Sequence, residues 1–231
     1  MQDTPETPGG PDPATPPPPP PPPPAAPSHG GGRPGLIERV RNILIQPAAE
    51  WRRIDGEATT TGQLFTGYAL ILAAIPPVAC LIGVLLLPFG SYILGSMAPY
   101  MLLIYAILLA IAFGLGLAID ALAPTFGGTK NSIQALKLAV YASTPMWLLG
   151  ILFLLVLQMV MGGLFWLWLL ASLGWGGYLL FLGIPILMRA PQDKAPAYAG
   201  AAVGAWIVLL LIAYVLLRVI LGGMGMGMGR Y

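Results

Sequence analysis

The sequence predicts an all-α integral membrane protein, a bundle of five transmembrane helices preceded by short amphipathic helices. Apolar residues make up 57% of the chain and charged residues 9%, and the mean hydropathy is +0.79. A soluble domain carries roughly 25% charged residues, so lipid is the main solvent here. Two stretches, Ala58–Ile119 and Leu138–Met188, contain no Asp, Glu, Lys or Arg. A helix through the second would be about 75 Å long, against a hydrocarbon core of about 30 Å, so each stretch holds more than one span.

Residues 1–35 form a leader rich in proline and glycine, which we expect to be disordered. Its unbroken run Pro16–Pro24 favours a polyproline II rod, because proline locks φ and has no N–H to donate. Such a rod is also a ligand for an SH3-like groove, and the sequence leaves that alternative open.

Residues 36–63 are predicted to form short amphipathic helices. Apolar residues recur with helical spacing over Leu36–Leu44, with Arg39 and Arg41 on the opposite face. Ten residues cannot cross a bilayer, so this helix lies either in the headgroup region or on the ends of the spans, and both placements need the same apolar face. A second helix is predicted to begin at Pro47, which suits the first helical position, and it carries Trp51.

The five spans are predicted within residues 64–221, followed by a flexible Met/Gly tail at 222–231. Kinks are expected at Pro76 and Pro77 in the first span and at Pro145 in the third. A tight turn at Met161–Gly163 separates the third span from the fourth. The predicted bounds are Leu64–Leu87, Ala98–Leu122, Gln134–Val160, a fourth span that ends near Met188, and Ala197–Leu221.

Positive charges alternate between successive loops. Arginines precede the first span, Lys130 and Lys137 flank the second connection, and Arg189 and Lys194 follow the fourth span. The connections at 88–97 and 161–163 carry no Lys or Arg. By the positive-inside rule, the N-terminus lies in the cytoplasm and the C-terminus outside.

The sequence lacks the residue sets that most catalytic and metal sites need. It has one histidine, His29 in the leader, and one cysteine, Cys80 in the first span. These cannot supply a metal site or a nucleophile with its base, and no Gly-x4-Gly-Lys loop is present. The net charge of +2 argues against nucleic-acid binding. We therefore expect no enzymatic activity, no cofactor, no metal and no nucleic-acid partner.

Asp120 is the best candidate for a transport site, because an ionisable residue inside a span is a functional hypothesis by default. The predicted topology places it near the cytoplasmic end of the second span. Lys137 lies about one turn inside the third span on the same side, so the pattern favours an interfacial Asp120–Lys137 pair. A small-solute or ion transporter is the alternative.

A stripe of small residues follows one face of the fifth span and includes a Gly-x3-Gly step, which lets helix backbones approach closely in lipid. We expect the stripe to pack within the chain, with a second copy and a homo-oligomer as the alternative. Its members are Ala197, Gly200, Ala201, Gly204 and Ala205.

Several short motifs resemble the bacterial branch of the Yip1-domain family. The resemblance covers roughly Leu36–Leu221 and implies an integral membrane protein of undefined activity in the bacterial cytoplasmic (inner) membrane. The Asp-Leu-Tyr-Gly-Pro motif associated with eukaryotic members is absent, so Rab GTPase binding is not carried over. The matching residues are Pro47, Trp51, Ile54, Phe126-Gly127-Gly128, Ala142 to Pro145, Tyr178, Leu182-Gly183, Pro185, Leu187-Met188, Pro191, Asp193-Lys194-Ala195 and Tyr198.

Three elements are expected to meet at the cytoplasmic face: the amphipathic helices, the Phe126–Lys137 connection and the Arg189–Lys194 loop, which also holds Asp193. Gly127 and Gly128 permit a sharp turn in the connection. We therefore expect a scaffold or membrane-organising factor that contacts a protein partner or anionic lipid at this face, chiefly through Arg189 and Lys194. The alternative is that these charges only fix the topology.

Overall fold

A computed structural model describes residues 34–154 and 163–227, and every regular element within them is helical. The predicted all-α class is confirmed, and five helices are long and apolar enough to cross a membrane. The proline run and the predicted turn at Met161–Gly163 fall outside the described residues, except that a helix begins at Gly163. Two short helices, α1 (Leu36–Ile45) and α2 (Pro47–Asp55), precede the spans. The spans are Thr61–Leu85, Gly90–Phe126, Ser132–Leu154, Phe165–Leu187 and Ala195–Ile220.

Most spans are built from several helical segments rather than from one regular helix. The first contains a π-helical turn at Phe65–Ala69, and the second and third end in 3₁₀ turns at Ala123–Phe126 and Gly150–Leu154. The α-helical segments are Thr61–Leu64, Leu70–Ala73, Ile75–Leu85, Gly90–Leu122, Ser132–Ala142, Thr144–Leu149, Gly163–Leu187 and Ala195–Gly227.

The first span is interrupted where the sequence predicts a kink. Its helix ends at Ala73 and restarts at Ile75, because Pro76 and Pro77 have no N–H to donate to the preceding turn. The hydroxyl of Tyr105 in the second span donates to the carbonyl of Leu70 at 3.0 Å. The neighbouring helix thus satisfies a carbonyl beside the break, as lipid requires.

The second span begins eight residues earlier than predicted, at Gly90 instead of Ala98. Its glycines, serines and Pro99 end helices in water, but in lipid the backbone has no alternative hydrogen-bond partner and the helix continues. Only a short connection remains, in which Phe89 has φ 65°. A Cβ on Gly90 would lie 1.9 Å from the carbonyl oxygen of Val84, so this tight turn requires glycine there.

The third span is the most buried of the five and the fifth is the least buried. The third is interrupted at Ser143, two residues before Pro145, where the sequence predicts a kink. The Thr144 hydroxyl lies 2.8 Å from the Tyr68 hydroxyl, which joins the first and third spans. Tyr68 also packs edge-on against Tyr141 at 4.7 Å between ring centroids.

The expectation that Gly200 and Gly204 pack within the chain is wrong. Both are exposed, and a Cβ at either position would have no neighbour within 4 Å. The fifth span turns its other face inward, because Tyr198 and Trp206 are fully buried there. Close packing falls instead on glycines of the fourth span, where a Cβ on Gly183 would lie 2.4 Å from Leu138.

The last helix continues to Gly227, six residues into the segment that the sequence predicts to be a flexible tail. Glycine is a poor helix former in water, but it is tolerated in helices that lie in lipid, where an open backbone is unfavourable. Residues 228–231 fall outside the described part of the chain.

Candidate contact surface at the polar end of the bundle

The polar end of the bundle is formed by α1, α2 and the connections at 127–131 and 189–194. The C-terminal end of α2 lies at its centre, on the third span. Lys137 donates from Nζ to the carbonyl oxygens of Ile54 at 3.0 Å and Glu57 at 2.6 Å, and it is 2% exposed. The last carbonyls of a helix have no intrahelical partner, and the helix dipole favours a cation beside them. The buried ammonium therefore fastens α2 to the membrane-spanning part of the chain.

Asp55 connects α2 to two other elements. Its Oδ2 accepts a hydrogen bond from Nη2 of Arg189 at 2.8 Å. Its Oδ1 and backbone carbonyl both accept from Nε2 of Gln134, each at 3.2 Å. One carboxylate therefore holds together α2, the third span and the connection after the fourth span.

A buried ion cluster joins α1 to α2. Arg39 is only 4% exposed and pairs with Glu50 at 2.5 Å and with Glu57. Its guanidinium also lies 5.6 Å from the ring centroid of Tyr141 in the third span. Burial acts to lower the pKa of Arg39, but the hydrogen bond to Glu57 and the nearby acidic groups outweigh it and raise the pKa overall. The arginine therefore stays charged.

The prediction that Arg39 lies on the polar face of α1, opposite the face that packs, is therefore wrong. A buried charge is tolerated when it is paired and hydrogen-bonded, and Glu50 and Glu57 supply those partners.

The two connections pack against each other as the sequence predicts. The backbone N–H of Thr129 donates to the Met188 carbonyl at 2.7 Å. Gly127 has φ 73°, in the left-handed region, and a Cβ there would lie 3.5 Å from Pro191. Gly128 is needed for close approach, because its Cβ would lie 3.0 Å from the Met188 carbonyl oxygen. The three elements expected at this face therefore meet.

The sequence predicts an ion pair between Asp120 and Lys137, but each side chain bonds to other groups in the structure. The carboxylate of Asp120 accepts from the backbone N–H of Asn131 at 2.8 Å and from the Ser132 hydroxyl at 3.3 Å. It thus stabilises the first turn of the third span, where a negative charge is favourable. Lys137 turns toward α2 because backbone carbonyls, which carry no sequence signature, are its hydrogen-bond acceptors.

Arg189 adopts φ 54°, a left-handed conformation that a non-glycine residue rarely takes. It lies two residues after Leu187, the last residue of the fourth-span helix, at a position where glycine is common. The strain accompanies the ion pair with Asp55, whose distance is 2.8 Å. The neighbouring Asp193 and Lys194 are exposed.

Comparison with known proteins places this arrangement in a family. The chain matches the Yip1 domain over residues 41–226. It belongs to the Yip1 family. The match takes in α2, all five spans and part of α1, which confirms the resemblance found in the sequence.

This Yip1-domain chain has relatives among bacterial membrane proteins. It is similar to the inner membrane protein YohC of Escherichia coli K12 and of Escherichia coli O6:H1 strain CFT073. In each case 26% of 203 aligned residues are identical, covering 82% of this chain and 98% of the relative. No solved structure matches.

The polar end of this Yip1 domain separates its charges into two sets. The buried set holds the elements together and has the partners described above. The exposed set is mostly basic, with Glu38 and Asp193 as its exposed acidic residues. Its basic members form what we call the basic rim, and they are Arg41, Arg52, Lys130, Arg189 and Lys194. Within residues 34–154 and 163–227, no group of three or more His, Cys, Asp or Glu side chains could hold a metal ion. The surface is therefore suited to contacts with acidic groups.

Proposed function

We propose that this Yip1-domain protein is a non-enzymatic scaffold or membrane-organising factor that binds a partner at its polar end. The observation that carries the proposal is the junction at Asp55, where α2, the third span and the connection after the fourth span are held together. A rigid surface loses little conformational entropy on binding, so such a junction supports a docking role. Because complementary charges favour association, we expect the partner that binds the basic rim to be acidic.

We also propose the bacterial inner membrane as the location, with the polar end in the cytoplasm. Both relatives from Escherichia coli are named as inner membrane proteins. The basic residues around the polar end support its cytoplasmic placement, because cytoplasmic loops carry an excess of Lys and Arg.

A transporter would need a polar path through the bundle, with Asp120 lining it. Asp120 instead holds the start of the third span through Asn131 and Ser132. The cavity of about 280 Å³ between the first and second spans is lined by apolar side chains and Tyr105. These observations support the scaffold over the transporter.

Site-specific photocrosslinking tests the scaffold. A benzoylphenylalanine in place of Lys130 or Lys194 should give discrete protein adducts in native membranes, because both side chains are exposed on the basic rim. The matched control is Leu211, which is exposed on the fifth span and should give lipid adducts only.

The double substitution Lys130→Glu and Lys194→Glu should abolish protein adducts formed from a probe at Arg52. Arg218→Glu, an exposed charge reversal on the fifth span, should leave them unchanged. Rim probes that yield only lipid adducts would contradict the scaffold function.

A further inference from the structure

We propose that the outer ridge of α1 lies in the headgroup region of the protein's own bilayer, with Ile37 and Ile45 at the acyl boundary and Arg41 on anionic headgroups. This is a lipid contact of α1 itself. It goes beyond the proposed scaffold function, because it holds whichever protein binds the rim.

The first observation is the distribution of burial around α1. Arg39 and Ile43 are 4% and 0% exposed, whereas Ile37 is 84% exposed and Ile45 is 67% exposed. At about 100° per residue, positions 37, 41 and 45 form one ridge that points away from the covered side. The sequence left open whether α1 packs on the ends of the spans or lies in the headgroup region. One face of α1 packs on the protein, and the opposite ridge remains uncovered with two isoleucines on it.

The second observation is the depth at which α1 is fastened. Arg39 reaches Tyr141, which lies about 14 Å along the third span from Ser132 at 1.5 Å per residue. Arg39 also pairs with Glu50 and with Glu57, four residues before the first span. A helix held by these contacts stays beside the ends of the spans, so its uncovered ridge meets the membrane boundary.

The third observation is the chemistry of the ridge and its flanks. Ile37 continues into the partly buried Val40 and Leu44 on one side, whereas Glu38 on the other side pairs with Arg53 at 3.4 Å. Isoleucines exposed to water are unfavourable, and an interfacial helix buries such residues between headgroups and acyl chains. Arg41, which is exposed between the two isoleucines, can reach phosphates in the same plane. The charge and the apolar ridge together favour an anionic bilayer over an acidic protein.

Spin labels on single cysteines test the placement in nanodiscs of phosphatidylcholine and phosphatidylglycerol. In a Cys80→Ala background, labels at Ile37 and Ile45 should collide with oxygen several-fold more, relative to a water-soluble nickel chelate, than a label at Lys194. A label at Ile212, which is exposed on the fifth span, calibrates the lipid value. An aqueous collision ratio at either isoleucine overturns the proposal, including the case in which that surface awaits a protein partner.

The role of Arg41 has its own test. Arg41→Glu should lower the oxygen-to-nickel ratio at Ile37 in nanodiscs containing phosphatidylglycerol, and the loss should be smaller in pure phosphatidylcholine. Arg52→Glu, an exposed arginine on α2 outside the ridge, is the control. An equal effect of the two substitutions, or no effect of Arg41→Glu, overturns the anionic-lipid contact. The collision ratios and the effect of Arg41→Glu do not depend on whether crosslinks form at the basic rim. The lipid contact of α1 and the scaffold function are therefore tested independently.

Discussion

Arg189 combines a strained backbone with an ion pair, and the two can be separated by substitution. Arg189→Ala removes the pair with Asp55 and keeps the left-handed φ of 54°. Arg189→Gly also removes the pair, but glycine adopts the same φ without strain. We expect the glycine variant to be more stable than the alanine variant by about 1 kcal/mol, because only glycine adopts this conformation without strain. Thermal unfolding in detergent measures the difference.

The exposed ion pair itself should contribute little. The side chain of Arg189 is 63% exposed, so the coupling measured with Asp55→Asn should be roughly 0.2–1 kcal/mol and should fall at high salt. Equal stability of the alanine and glycine variants would show that position 189 is relaxed in solution.

Lys137 and Asp120 should behave as independent residues. Lys137→Met removes the ammonium donor from the carbonyls of Ile54 and Glu57, of which Ile54 keeps the backbone N–H of Glu57 as a donor. We expect a loss of about 1.5–3 kcal/mol, as for hydrogen bonds to charged groups. Asp120→Asn weakens a more exposed contact and should cost less than about 1 kcal/mol. The double variant should be additive within about 0.5 kcal/mol, and a larger coupling energy would restore the direct pair.

For these residues the sequence indicates charge and position but not the hydrogen-bond partners. The charge of Lys137 and its depth in the span could be predicted, since both follow from position. Its acceptors are backbone carbonyls of α2, and the sequence does not show which carbonyls a fold brings near. Asp55 was missed for the same reason, because its role depends on three segments that meet only in the folded chain.

Packing of the helices depends on glycines whose surroundings differ. A Cβ on Gly183 would lie 2.4 Å from Leu138 and 2.9 Å from the Trp51 ring, whereas one on Gly204 would have no neighbour within 4 Å. We expect Gly183→Val to destabilise the protein by about 1–3 kcal/mol through overpacking, and Gly204→Val to change its stability little. Detergent-solubilised monomer provides the measurement, so that a contact between copies does not contribute.

The two valine variants also test the placement of the fifth span. A severe loss from Gly204→Val in the monomer would mean that the Gly200–Gly204 face packs within the chain after all. The sequence predicted that small residues mediate close packing, which is a general property of helices in lipid. It did not identify which of the thirty glycines do so, because Gly183 belongs to no Gly-x3-Gly step.

The number of spans could be predicted, but the start of the second could not. Hydropathy depends on side chains and on a known bilayer thickness, so it identifies spans reliably. The signals that end helices in water, such as Gly95 and Pro99, lose their meaning in lipid, and the second span continues through them.

The orientation of the whole molecule in the membrane is a prediction from the sequence, because the fold does not show which end faces the cytoplasm. The alternation of Lys and Arg predicts that the polar end is cytoplasmic. In intact cells and a Cys80→Ala background, a cysteine at Pro88, in the connection before the second span, should react with an impermeant maleimide, whereas one at Gln192 should not. Labelling at Gln192 would place the polar end outside and reverse the proposed location of the partner.

The second span is longer than an ordinary bilayer requires. Its uncharged part, Gly90–Ile119, is about 45 Å long at 1.5 Å per residue. Fitting it within a hydrocarbon core of about 30 Å needs a tilt of about 48°, which exceeds the roughly 0–40° range of transmembrane helices. We therefore expect hydrophobic mismatch to remain after tilting and the surrounding lipid to thicken to relieve it.

The mismatch makes stability depend on acyl-chain length. Thermal unfolding in phosphatidylcholine vesicles should occur at higher temperature as the acyl chains lengthen, because less deformation of the bilayer is then needed. A Tm independent of chain length would mean that Gly90–Pro99 lies among the headgroups at no cost. Where thickness varies across a membrane, the length of this one helix would concentrate the protein in the thicker regions, without any binding partner.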